Sequence, residues 1–330
     1  MTVKEIEDIC KTGAAPARMR HPLDTPNLPL RATFFPMGFP LEVRTNAPEI
    51  LKMSNSLWAD FTQQYETTPA ISEIYVADGG AEECPPAPLY RYQCPLLVSI
   101  ADSEHYTVID MERRRTFTSL TRASLTHRLY LEFFFLMMPL TTLPARGIHA
   151  ACVARNGRGI LLCGDSGAGK STLAYACARK GWEYISDDGC LVIDGLRRIV
   201  TGNCHQVRFR PEARELFPEI NGQELTPRAG GKPSLELSTA FMPDITRCLQ
   251  TRIDFIVFLN RREPEPAGLM SYCKKVARLY LQQGLYVSDE VERRHAEAVE
   301  HLLEAPVFEL RYSKLDWAVE RLQTLVEEGR

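Results

Sequence analysis

The chain of 330 residues carries 39 basic and 42 acidic side chains, a formal net charge of −3, with 45% apolar and 25% charged residues. That is the composition of an ordinary globular protein with length enough for two domains. It supplies no general basic field for nucleic acid or a membrane surface, so neither is an expected partner.

The ten cysteines show no C-x-x-C pair and no metal-like spacing. They read as buried thiols in a reducing compartment rather than a disulfide frame. The start, Met1-Thr-Val-Lys-Glu-Ile-Glu-Asp, is acidic and lacks an apolar export region, and the expected location is the cytoplasm.

In chain order, residues 1–30 hold prolines at 16, 22, 26 and 29 and read as a Pro-rich tail. Residues 31–145 mix strands and helices, an α+β pattern. Leu41–Thr45 alternates as a strand, and Asn46-Ala-Pro-Glu49 reads as a helix start with Asn46 as cap and Pro48 just inside. Residues 79–89 form a loop. Leu96–Ile100, His105–Asp110 and Arg115–Leu120 read as an antiparallel meander, followed by a helix over about residues 123–138. The run Leu129–Leu140 is too short for a bilayer and carries Glu132 and Pro139, so it reads as a buried helix, with Phe133–Phe135 in the core.

A second domain is expected over residues 146–330. Ile148–Ala154 and Gly159–Cys163 are strands joined through Asn156-Gly157, a strong hairpin signal. Trp182–Ser186 is a further strand, ending at Asp187-Asp188-Gly189. Cys190–Asp194 and Arg198–Val200 form a hairpin around Gly195. Ile253–Leu259 has the continuous apolar character of a strand in the middle of a sheet. Two helices, a strand (Val307–Arg311) and a last helix close the chain.

The most informative stretch lies inside this second domain. Gly164-Asp165-Ser166-Gly167-Ala168-Gly169-Lys170-Ser171-Thr172 fits G-x-x-x-x-G-K-[ST], between an apolar strand and a helical run. The glycines let successive backbone N–H groups turn inward around phosphate oxygens, and the helix start adds its positive end. Lys170 is placed for the β- and γ-phosphates, and the Ser171 hydroxyl for Mg²⁺, which prefers oxygen ligands. The pattern predicts a bound nucleoside triphosphate with Mg²⁺.

Asp187 lies 23 residues beyond Gly164 and His149 lies 15 before it. Neighbouring carboxylates at a strand end suit two tasks, one holding the metal and one taking a proton from an attacking hydroxyl. Asp-Asp-Gly is also ordinary turn chemistry, and a strand histidine is by itself most often a hydrogen-bonded core residue.

His149, the glycine loop and Ile185-Ser-Asp-Asp188, taken together over residues 147–200, resemble the catalytic domain of HPr kinase/phosphorylase. The wider group of HPr-kinase-like proteins, with lasso-peptide tail kinases and free-serine kinases, is similar as well. The Pro-Gly-Arg-Asn run of the HPr kinases is absent, and Arg228–Leu237 stands in its place. The resemblance implies an α/β fold with a mixed-sheet P-loop kinase domain of phosphoenolpyruvate carboxykinase-like type, preceded by the smaller α+β domain.

It also implies roles: Asp187 as base toward a serine hydroxyl, Asp188 on the metal side, His149 as auxiliary, and Lys232 as a positive charge where the family has an arginine, with a solvated loop lysine as the alternative. The expected activity is an ATP-dependent, Mg²⁺-requiring kinase acting on a peptide or protein serine, or on a small hydroxyl acceptor. The alternative is a nucleotide-driven switch without an acceptor. HPr kinases assemble into hexamers, so a homo-oligomer is an outcome to be looked for.

Overall fold

The computed structural model describes residues 11, 27–93, 95–193, 195–227, 233–242, 244–261, 266–283 and 289–329. Most of the expected tail and Lys232 lie outside them. The chain forms two units, the first built chiefly from the chain up to Leu143 and the second chiefly from the chain after it.

The first unit is built on β1 (Leu30–Phe34), β2 (Leu41–Thr45), β3 (Ala70–Ala77), β4 (Leu89–Gln93), β5 (Leu96–Ile100), β6 (Tyr106–Asp110) and β7 (Arg115–Thr121). They pair in the order β1-β2-β3-β7-β6-β5-β4, parallel across β2-β3 and β3-β7 and antiparallel elsewhere. The expected meander is β5–β7. Arg115 ties the parallel pair β3-β7 by a two-pronged ion pair to the buried Glu73, at 2.6 and 3.0 Å.

Two local expectations are corrected here. The helix Pro48–Trp58 takes Ala47, not Asn46, as its N-cap. Asn46 instead grips Val76 on β3 through both its amide groups, each bond 2.8 Å long. A backbone N–H and C=O on one residue engage both ends of the amide, where a helix cap would use only its oxygen.

The expected helix 123–138 is also broken. It resolves into a 3-10 turn (Ala123–Thr126), one α turn (Arg128–Leu131), a wide π turn (Glu132–Leu136) and a second 3-10 turn begun by Met138-Pro139. At 3.6 residues per turn Leu136 would face away from Tyr130 and Phe134. The wider turn brings Tyr130, Leu131, Phe134, Phe135 and Leu136 all into the core. Phe133 cannot follow them and stays 43% exposed, against the expectation for the aromatic run.

In the second unit the strands are β8 (Ala145–Ile148), β9 (Ala151–Arg155), β10 (Arg158–Cys163), β11 (Glu183–Ser186), β12 (Cys190–Ile193), β13 (Ile199–Gly202), β14 (Gln206–Phe209), β15 (Leu225–Thr226), β16 (Ser234–Ser238), β17 (Thr246–Arg247), β18 (Gln250–Arg261), β19 (Gly268–Ser271) and β20 (Val307–Tyr312). A mixed sheet runs β17-β11-β9-β10-β18-β13-β12-β8, and β20 joins the C-terminal half of β18 and carries β19. A small sheet has the order β14-β16-β15.

Side chains alternate across the long strands. Ile160 and Leu162 of β10, with Phe255 and Val257 of β18, pack under the helices Lys170–Arg179 and Leu315–Glu328. Leu161 and Cys163, with Ile256 and Phe258, pack under Lys274–Leu281 and Asp289–Leu302. Apolar residues on both faces are what a strand covered by helices on either side requires. Among the described residues no helix is long and apolar enough to cross a membrane.

Candidate functional site

Three strand ends meet at one edge of the second sheet. β9 lies between β10 and β11 and is antiparallel to both. The start of β9 therefore lies beside the ends of β10 and β11, where the glycine loop and the Asp pair emerge. The β9-β10 turn is Asn156-Gly157, with φ of 54° and 73°, the positive values that a two-residue hairpin needs.

His149 is not on the strand next to β10, as the sequence suggested. β8 ends at Ile148, β9 begins at Ala151, and the chain bends between them with the Ala150 N–H bonded to the Ile148 carbonyl at 3.0 Å. β8 leaves to pair with β12, and the bend leaves the His149 side chain exposed.

The loop proper runs from the end of β10 to the helix Lys170–Arg179. Gly164, Gly167 and Gly169 have φ of 144°, 90° and 95°, a region that side chains with a Cβ rarely adopt. At Gly164 a Cβ would also meet Ala168 Cβ at 3.0 Å and the Leu259 carbonyl at 3.3 Å, and at Gly169 it would meet Tyr312 Oη at 2.9 Å. Asp165, Ser166 and Gly167 are exposed, Ala168, Gly169, Ser171 and Thr172 half-buried.

Lys170, at the helix start, is only 6% exposed and folds its ammonium onto the loop carbonyls of Gly164 (2.7 Å) and Asp165 (3.3 Å). Burial lowers its pKa, opposed by the nearby Asp188 and Asp165 charges. The Ser171 hydroxyl donates to the Asp187 main-chain carbonyl at 3.3 Å, and this joins the loop helix to the end of β11.

The two aspartates point different ways, as successive residues leaving a strand do. Asp187 is 6% exposed and its Oδ2 accepts the Arg208 backbone N–H of β14 at 2.8 Å. Burial pushes its carboxyl up to about 6, against the lowering effects of that hydrogen bond and the Arg208 charge. Asp188 is exposed, with Oδ1 3.4 Å from His149 Nδ1. The Ser186 hydroxyl closes the turn on the Gly189 carbonyl at 2.7 Å.

The structure thus brings together His149, the loop, Lys170, Ser171, Asp187 and Asp188. Lys232 lies outside the described residues. Arg208 supplies a backbone donor to Asp187 while its guanidinium faces Glu236 at 3.4 Å, and Arg210 is exposed. Two tyrosines were missed by sequence reasoning. Tyr312, at the end of β20, lies 3.4 Å from the Ala168 carbonyl. Tyr280, on the helix Lys274–Leu281, contacts Gly164 and the His149 backbone. No local pattern marks either, because both arrive from strands or helices more than 100 residues further along the chain.

Strand, positive-φ glycine loop and lysine-led helix are the elements from which anion cradles are built. The donor set also fits Mg²⁺, which takes one or two protein oxygens and completes its shell with phosphate oxygens and water. Ser171 Oγ and the exposed Asp188 carboxylate are the residues that would hold it. Among the described residues, no three His, Cys, Asp or Glu side chains form a metal-binding group.

The chain is thus an α/β protein in which a glycine loop joins the end of β10 to a lysine-led helix. A family model described as SynChlorMet cassette protein ScmC matches residues 135–201, a segment containing His149, the loop and the Asp pair. Among solved structures, the HPr(Ser) kinase/phosphatase from Coxiella burnetii is matched at 16% identity with a TM-score of 0.29, over 56% of this chain and 96% of that one. A likeness at this level leaves the site to be read from its own geometry. No curated protein matches.

Proposed function

We propose that this chain is an ATP-dependent kinase that transfers the γ-phosphoryl group to a serine-type hydroxyl of a peptide, protein or small molecule. The observation that carries the reading is the bond from Ser171 Oγ to the Asp187 carbonyl at 3.3 Å. In this reading that bond brings the acid pair to the glycine loop, where a transferred phosphoryl group would stand.

Within this reading the loop amides and Lys170 bind and orient the triphosphate. Mg²⁺, when bound, neutralises charge on the β- and γ-phosphate oxygens. Asp187 takes the proton of the acceptor hydroxyl as its oxygen bonds to the γ-phosphorus and the bond to the β–γ bridging oxygen breaks, leaving ADP. A carboxylate held near 6 by burial is ionised at neutral pH and remains basic enough to receive that proton. Asp188 with His149 holds the exposed side of the site.

The test uses γ-labelled ATP with Mg²⁺, the protein and a cell extract depleted of nucleotides. Label on serine of a peptide, protein or small molecule supports the kinase. Label recovered only as inorganic phosphate would leave a nucleotide-driven switch in its place, and label that stays in ATP would remove both.

A further inference from the structure

The Tyr280 hydroxyl stands where the two halves of the site meet. Its Oη accepts the Gly164 N–H at 3.1 Å and lies within donating distance of the Gly164 carbonyl (2.7 Å) and the His149 carbonyl (3.0 Å). The Gly164 carbonyl is also the one on which the Lys170 ammonium rests, at 2.7 Å. One hydroxyl therefore touches the first residue of the loop, the resting place of the loop lysine, and the backbone of the histidine that faces Asp188. The ring is held from behind by Phe258 of β18, edge-on with centroids 5.2 Å apart.

The chemistry of these bonds is directional. A hydroxyl has one proton and two lone pairs, so Tyr280 can hold the Gly164 N–H permanently while its proton serves either carbonyl. When Lys170 turns from the Gly164 carbonyl toward a phosphate, that carbonyl would lose a partner in a half-enclosed site. The Tyr280 proton can satisfy it there, which lowers the cost of moving the lysine. While Lys170 rests on Gly164, the same proton is available to the His149 carbonyl, at the bend between β8 and β9.

We propose that Tyr280 is a positioning residue: its hydroxyl spaces the glycine loop and Lys170 from the His149–Asp188 pair. This rests on the kinase reading of the same site. Tyr280 touches neither phosphate nor acceptor in this scheme and acts through Gly164 and His149.

The experiment compares wild type with Tyr280→Phe, which keeps the ring against Phe258 and deletes the hydroxyl. Two quantities are read. The first is steady-state hydrolysis of Mg²⁺-ATP without acceptor, normalised to titrated nucleotide sites so that partial misfolding does not count. The second is the NMR signal of the His149 ring, assigned through His149→Gln, in protein without nucleotide.

The expected result is a fall in kcat of about tenfold, the loss of one hydrogen bond made in the rate-limiting geometry. The KM for ATP should change by less than about threefold, and the His149 signal should move. A lost packing contact would lower the number of titrated sites and leave kcat per site unchanged. A kcat within about twofold of wild type, whether or not the His149 signal moves, overturns the proposal. If instead wild type and Lys170→Ala bind Mg²⁺-ATP equally, the kinase reading itself has failed, while the His149 signal still reports whether Tyr280 holds the bend.

Discussion

His149 Nδ1 stands 3.4 Å from Asp188 Oδ1, while the carboxylate of Asp187 turns inward to the Arg208 backbone N–H at 2.8 Å. The histidine is therefore coupled to the second aspartate of the pair, and the first is set apart by burial. Two adjacent carboxyl groups acquire different environments: Asp187 is buried and its pKa is raised by that burial, while Asp188 stays exposed beside His149.

For Asp187 this gives a rate prediction. Asp187→Asn should bind Mg²⁺-ATP within about threefold of wild type and lose phosphoryl transfer by about a hundredfold or more, the scale of a lost general base. In wild type the rate should rise through pH about 6 as the carboxyl ionises. Transfer at the wild-type rate in the Asn variant, measured by single turnover, would remove Asp187 from its role.

The same burial makes a stability prediction with a definite sign. The folded carboxyl is raised from 3.8 to about 6, so the folded state holds its proton more tightly than the unfolded chain. The resulting stabilisation is complete below about pH 4 and is lost as pH rises through 6. Above that the ionised group costs up to about 3 kcal/mol. Asp187→Asn, whose amide oxygen still accepts the Arg208 N–H, should therefore melt higher than wild type at pH 7.5 and show no gain at pH 4. Thermal unfolding at the two values checks this.

Lys170→Ala removes the ammonium that rests on the loop carbonyls of Gly164 and Asp165. Binding of Mg²⁺-ATP should weaken by about tenfold or more, as expected for a charge-assisted contact to phosphate, measured by titration calorimetry. Unchanged affinity would show that the loop does not receive phosphate.

The loop glycines are not equivalent. Gly164→Ala meets both a disfavoured φ and the 3.0 and 3.3 Å contacts to Ala168 and Leu259, whereas a Cβ at Gly167 meets nothing within 4 Å. Gly167→Ala should cost only the backbone strain, about 1–2 kcal/mol, and retain the fold. Gly164→Ala should be at least as destabilising and should also lose nucleotide binding. Equal behaviour of the two variants in melting and binding would contradict the described loop.

In the first unit, Asn46→Ala deletes both bonds to Val76. Loss of a paired backbone N–H and C=O should cost about 1–3 kcal/mol, seen as a lower denaturation midpoint and faster amide exchange at Val76. A variant as stable as wild type would mean that the amide contributes only as a turn residue.

Much of the second unit was legible because its signals are local. Asn156-Gly157 dictates a tight hairpin, the apolar run of β18 dictates a central strand, and the glycine spacing dictates the loop between β10 and its helix. The first unit was less legible. β1, β3 and β4 carry no distinctive turn chemistry, and the segment after β7 departs from a regular helix because burying Leu136 with Phe134 requires a wider turn. Asn46 looks like a cap in one dimension, and its partner Val76 is 30 residues away.

The glycine loop, the strand that leads into it and the lysine-headed helix that follows are legible in the residues alone, because those features depend on neighbours within a few residues. The Asp pair is a candidate by its place after the loop, and His149 through the family resemblance of the segment. How they combine is set by the packing of distant segments. The antiparallel placing of β9 between β10 and β11 gathers three separate chain segments at one edge. The burial of Asp187 under β14 divides the acid pair, and Tyr280 arrives from a distant helix to join the loop to His149. Burial and contact across more than 100 residues are properties of packing, and no residue pattern encodes them locally.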